Sequence, residues 1–101
     1  MEFTLPNGYE SKTTFMTDFT IADHFGLSAV KDTYKRAFTE WKDNVEYLTE
    51  LVIVLNMKIW EHYRSNENLA TIYDELWREA QDYAYDTLKG DDMRYFYECT
   101  N

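Results

Sequence analysis

Apolar side chains recur every three or four positions through most of this chain, and that recurrence predicts helices. Phe15, Phe19, Ala22 and Phe25 make a first stripe, and Gly26 follows at the place where a helix stops in a left-handed residue. Val30, Tyr34, Ala37, Phe38 and Trp41 make a second, with Ser28 positioned to cap it. The third runs through Leu48, Leu51, Val52, Leu55, Ile59 and Tyr63. The fourth is the broadest, from Leu69, Ile72, Tyr73, Leu76 and Trp77 to Ala80, Tyr83, Ala84 and Leu88, with Gly90 behind it. Neither glycine nor proline occurs between Leu27 and Lys89, which favours helix throughout that span.

One boundary needs a decision. Asp43 and Glu46 have the spacing of a capping box, which predicts a break near 43–44. The apolar positions, however, run nearly in register from 30 to 59. A single helix over 28–64 would be about 55 Å long at ~1.5 Å per residue. A domain of this size has a radius of gyration of about 13 Å, so such a rod would protrude. The break is therefore the expected arrangement. The pattern predicts an all-α, compact four-helix domain, with helices over about 14–25, 28–43, 45–64 and 67–89. A short N-terminal arm (1–13), carrying the turn LPNGY, precedes them. Residues 91–101 form a tail, in which Asp91 and Asp92 cap one aromatic C-terminal turn bearing Tyr95, Phe96 and Tyr97.

Composition narrows the function. A chain of 101 residues is one domain, and 45% hydrophobic residues with 18% aromatic ones argue against disorder. The formal charge of −9 disfavours nucleic acid as a partner, because phosphate contacts need cations, and favours a basic protein. The single cysteine, Cys99, cannot form an internal disulfide, which suits a reducing compartment. The N-terminus lacks a cationic start followed by an apolar run, and LVIVLNMKIW at 51–60 is too short and polar to span a membrane. These features predict a cytoplasmic protein with no membrane contact.

FTIADHFGLSAVKDTYKRAF at 19–38 has the outline of a helix-turn-helix: Ile21, Phe25 and Leu27 around the turn, then a cationic run at Lys31, Lys35 and Arg36. The second helix places Asp32 and Lys35 where a recognition helix packs its core. Residues 28–44 also hold only four bases against three acids. No arginine pair or glutamine stands ready to read base edges. An ordinary helical corner is the better expectation, and a DNA-binding regulator the alternative.

Catalytic chemistry finds little support. His24 and His62 lack the Glu-x-x-His spacing of helical metal sites, and each neighbours a carboxylate that points elsewhere on a helix. No G-x-S-x-G or glycine-rich phosphate loop is present. No catalytic residue, metal ligand or cofactor is predicted.

The acidic excess says more. Residues 66–101 carry nine acids against three bases, and Glu75, Glu79, Asp82 and Asp86 follow the spacing i, i+4, i+7, i+11 along one helical line. Their successive rises of about 4.5–6 Å resemble phosphate spacing on one DNA strand. A row of this kind would imitate a nucleic-acid backbone in a cationic groove. The plainer account is a solvated back face, with Arg78 and Lys89 diluting its charge. Ile53, Met57 and Trp60 form a second apolar side on the third helix. Either the helix is central and these residues are covered, or they build an interface, including a homodimer.

Finally, TTFMTDFTIADHFG, KDTYKRAFTEWK, YLTELVIVLNMKIWEHY and DYAYDTLKG…YFY together resemble a group of small acidic proteins encoded on conjugative transposons and prophages of gut bacteria. That group has no established activity, so the resemblance implies a genomic setting and carries over no site residues. The resulting expectation is a non-enzymatic accessory protein of a mobile genetic element, acting by protein–protein contact.

Overall fold

The structure, a computed structural model, describes residues 10–100; the first nine residues of the expected arm, its LPNGY turn included, lie outside that range. Five helices follow one another: α1 (Phe15–Phe25), α2 (Leu27–Trp41), α3 (Val45–His62), α4 (Glu67–Thr87) and α5 (Gly90–Thr100). The class is all-α. The helix count is one higher than the apolar pattern predicts, because the aromatic tail is a helix rather than a turn. The Cα radius of gyration is 12.9 Å.

α3 is the axis of the fold, packed against α4 most extensively and also against α1, α2 and α5. Its residues Leu51 to Leu55 are buried without interruption, and a helix that is apolar all round belongs inside. Ile53, on the second apolar side that a central helix would have covered, is indeed 5% exposed within this core, and Met57 is half-buried against it. α1 contributes Phe15, Phe19 and Ala22, α2 contributes Val30, Tyr34 and Ala37, and α4 contributes six buried positions from Leu69 to Ala84. The Phe19 ring meets the edge of Tyr73 at 5.6 Å, and Phe38 meets Tyr83 at 5.0 Å, so aromatic contacts tie α1 and α2 to α4.

The breaks between helices have identifiable causes. Gly26 adopts φ 109° and ψ −173°, a region that only glycine occupies readily. Its N–H bonds to Ala22 O at 3.1 Å, ending α1, and its own carbonyl accepts from Val30 N at 3.2 Å, starting α2. The turn is thus made by one residue, and Ser28 lies inside the first turn of α2 instead of capping it. Between α2 and α3 the cap is Asn44, whose Oδ1 accepts from Tyr47 N at 3.2 Å; the cap falls one residue beyond Asp43. Asn66 caps α4 in the same way, accepting from Leu69 N at 3.1 Å. Leu88 is extended and Gly90 has φ 60°, which redirects the chain so that α5 lies back on α3. Phe96 is the buried anchor of α5, with Tyr85 packed at its edge. Asp91 and Asp92 lie in the first turn of α5, where the helix dipole favours them.

Candidate functional site

The α4 carboxylate row is a direct result of how that helix is held. With Leu69, Tyr73, Leu76, Ala80 and Ala84 turned into the core, Glu75, Glu79, Asp82 and Asp86 face outward, and all four are exposed. None of them makes a salt bridge among the described residues. Arg78, which the sequence places beside the row, turns to Asp74 instead, Nε to Oδ2 at 3.0 Å. Glu79 has one inward influence. The Tyr34 hydroxyl beneath it is buried and, among the described residues, lacks a well-aligned hydrogen bond; burial first, then the charge and close approach of the Glu79 carboxylate, pushes its pKa far up.

Other expected contact residues are dispersed. Trp60 is 66% exposed and rests on Tyr63 with ring centroids 5.5 Å apart, but Ile53 is in the core, so the three residues do not share one surface. Lys31, Lys35 and Arg36 are exposed on α2, interleaved with exposed Asp32 and Glu40. Around Gly26 the expected inward packing is absent: Ile21 is 52% exposed and Phe25 79%, and Leu27 is exposed as well. The stripe that packs α1 ends at Ala22, and the one-residue turn carries Phe25 past the core.

The structure also gathers a cluster that the linear spacing concealed. The Lys58 ammonium, fully buried, lies 2.6 Å from Asp23 Oδ2 and 2.5 Å from Glu61 Oε2, with Thr20 Oγ1 at 3.3 Å. His62 Nε2 is 2.8 Å from the same Asp23 oxygen and 3.2 Å from Glu61 Oε2, so the adjacent carboxylate that helical spacing turns away does reach this histidine. Tyr73 donates to the other Asp23 oxygen at 2.5 Å, and its ring stacks on His62 at 5.8 Å. Ligand atoms of Asp23, Glu61 and His62 lie within 4.8 Å of one another, a donor set able to hold a divalent cation, with the Lys58 ammonium already bonded to both carboxylates. The cluster is an ionic clamp joining α1, α3 and α4. Asp23 and His62 are 39 residues apart, so no local spacing could reveal the pair. The only sequence signal was Lys58, a charge inside an otherwise apolar run.

Asp23 has a definite acid response. Burial alone would raise its pKa, but hydrogen bonds from Lys58, Tyr73 and His62 outweigh burial and bring it below the ordinary 3.8. A depressed carboxyl pKa stabilises the fold fully above the unfolded value and ceases to do so as pH falls through the folded one. Urea titrations from about pH 6 to about pH 2.5 should therefore show stability lost below the ordinary carboxyl value, and Asp23→Asn should flatten that limb. An unchanged acid limb in Asp23→Asn would place the acid sensitivity elsewhere.

Compared with protein-family models, curated proteins and solved structures, the chain matches none. Among the described residues no helix is long and apolar enough to cross a membrane.

Proposed function

We propose that this chain acts without catalysis, by protein–protein contact, presenting the α4 carboxylate row to a cationic groove of its partner as an imitation of a nucleic-acid backbone. The observation that carries this reading is that Glu75, Glu79, Asp82 and Asp86 are all exposed on one helix and, among the described residues, none is in a salt bridge. The formal charge of −9 adds a long-range field of the same sign, which steers a cationic partner to the surface. A small acidic accessory protein of a mobile element would suit such a role.

Displacement of a labelled DNA duplex from a panel of cationic DNA-binding proteins tests the reading. The chain should displace duplex from at least one of them, with an effect that falls steeply as salt rises. Glu79→Lys with Asp82→Lys should weaken displacement at least tenfold. Equal displacement by the double variant, or none from any protein in the panel, overturns it. Direct binding of the chain to duplex, lost on Lys35→Glu with Arg36→Glu, would establish the helix-turn-helix alternative through Lys31, Lys35 and Arg36.

A further inference from the structure

An open groove of 610 Å³ runs between α1 and α2, on the side of α2 away from the α4 row. α2 turns Tyr34 and Phe38 toward α4, as the Phe38–Tyr83 contact shows, and turns Thr33 and Arg36 toward α1. Phe15, Ala22, Ala37 and Trp41 form the apolar part of the groove, and the exposed Ile21 and Phe25 flank it. Apolar side chains left in water together, around a concavity rimmed by polar groups, are a mark of contact surfaces. The charges are lopsided. Asp18, Asp32 and Glu40 line the groove against Arg36 alone, and none of the four is in a salt bridge among the described residues.

We propose that this groove binds a cationic amphipathic helix of about three turns from a partner protein. The length follows from α1, whose 11 residues give a wall of about 16 Å at ~1.5 Å per residue. Helical form follows from the walls: both are helices whose backbone groups bond internally, so an extended peptide would gain no ladder of hydrogen bonds. Side-chain contact is what the groove offers, and an apolar stripe with flanking bases matches its apolar floor and acidic edges. This contact is separate from the α4 row, so either surface can fail alone.

The probe is a labelled peptide of 18 residues, with leucine at i, i+3, i+4, i+7 spacing and lysine between, set against a scrambled peptide of the same composition. The amphipathic peptide should bind at least tenfold more tightly than the scrambled one, with amide shifts concentrated in α1 and α2. Ile21→Ser with Phe25→Ser, and separately Asp32→Lys with Glu40→Lys, should each weaken binding at least tenfold. These side chains are exposed, so the variants keep the core, and unchanged circular dichroism confirms it. At about 0.15 M salt, where the long-range field is screened beyond about 8 Å, Glu79→Lys with Asp82→Lys should change the affinity less than about threefold. Equal affinity for both peptides, shifts centred on α4, or a larger loss in the Glu79/Asp82 variant overturns the proposal. Light scattering that shows a dimer dispersed by Phe25→Ser assigns the groove to a second copy instead. A tenfold affinity gain in full-length Phe3→Ser with Leu5→Ser assigns it to the chain's own first residues. Either result overturns the proposal.

Discussion

Lys58→Met is expected to lower the unfolding free energy by about 3 kcal/mol, near the lower end of the range for breaking a buried ion pair. Methionine fills a similar volume, so the loss is electrostatic rather than a cavity. Lys58 is 0% exposed and serves Asp23, Glu61 and Thr20 together. Removing it leaves Asp23 largely buried with its negative charge held only by Tyr73 and His62. Two features limit the loss: Glu61 is half exposed and can turn to water, and Asp23 keeps two hydrogen-bond partners. Urea unfolding of Lys58→Met, Asp23→Asn and the double variant measures the coupling directly. An interaction of about 1–3 kcal/mol is expected between the two positions. A single-variant loss below about 1 kcal/mol, or additive effects, would show that the clamp contributes little to holding α1 against α3 and α4.

The clamp and the α4 row show which parts of this molecule were written locally in its sequence. α4 has one apolar stripe and no glycine or proline, so its outward carboxylates follow from the 3.6-residue period alone. α3 reads differently. Its second apolar patch suited a central helix or an interface equally on spacing alone, and Ile53 is buried because neighbouring helices cover this part of the axis. The same periodic reading turns every charge outward, and so it missed Glu50 and Lys58. Both are buried because partners on α1 and in the segment just before it, far earlier in the chain, meet them, and a local window carries no record of such a distance. Phe25 fails for the opposite reason. It continues the α1 spacing, but Gly26 ends the helix directly after it, so the residue falls beyond the packed interface. α5 was hidden by its consecutive aromatics, Tyr95, Phe96 and Tyr97, of which only Phe96 is fully buried.

Glu50→Ala should cost about 3 kcal/mol, the size expected when a buried charged acceptor is lost and several donors are left behind. The Glu50 carboxylate is fully buried on α3 and accepts from Lys12 N at 2.6 Å, Thr13 N at 3.2 Å, Ser11 Oγ at 2.8 Å and the Thr13 hydroxyl. Charge-assisted bonds of this kind are about twice as strong as neutral ones. The Thr13 hydroxyl also accepts from Phe15 N at 3.2 Å, so Glu50 fixes the residue that begins α1. Glu50→Gln tests the mechanism more finely. The amide keeps one acceptor oxygen but turns an N–H₂ group toward the remaining donors, and a loss of about 1–2 kcal/mol is expected. Amide exchange at Lys12 and Thr13 should accelerate in both variants, more in alanine, and should extend into the first turn of α1. Because that turn carries Phe15 at one end of the α1–α2 groove, Glu50→Ala should also weaken peptide binding there, although Glu50 does not line the groove. If both variants cost less than about 1 kcal/mol and leave exchange at Lys12 and Thr13 unchanged, the carboxylate does not anchor this segment.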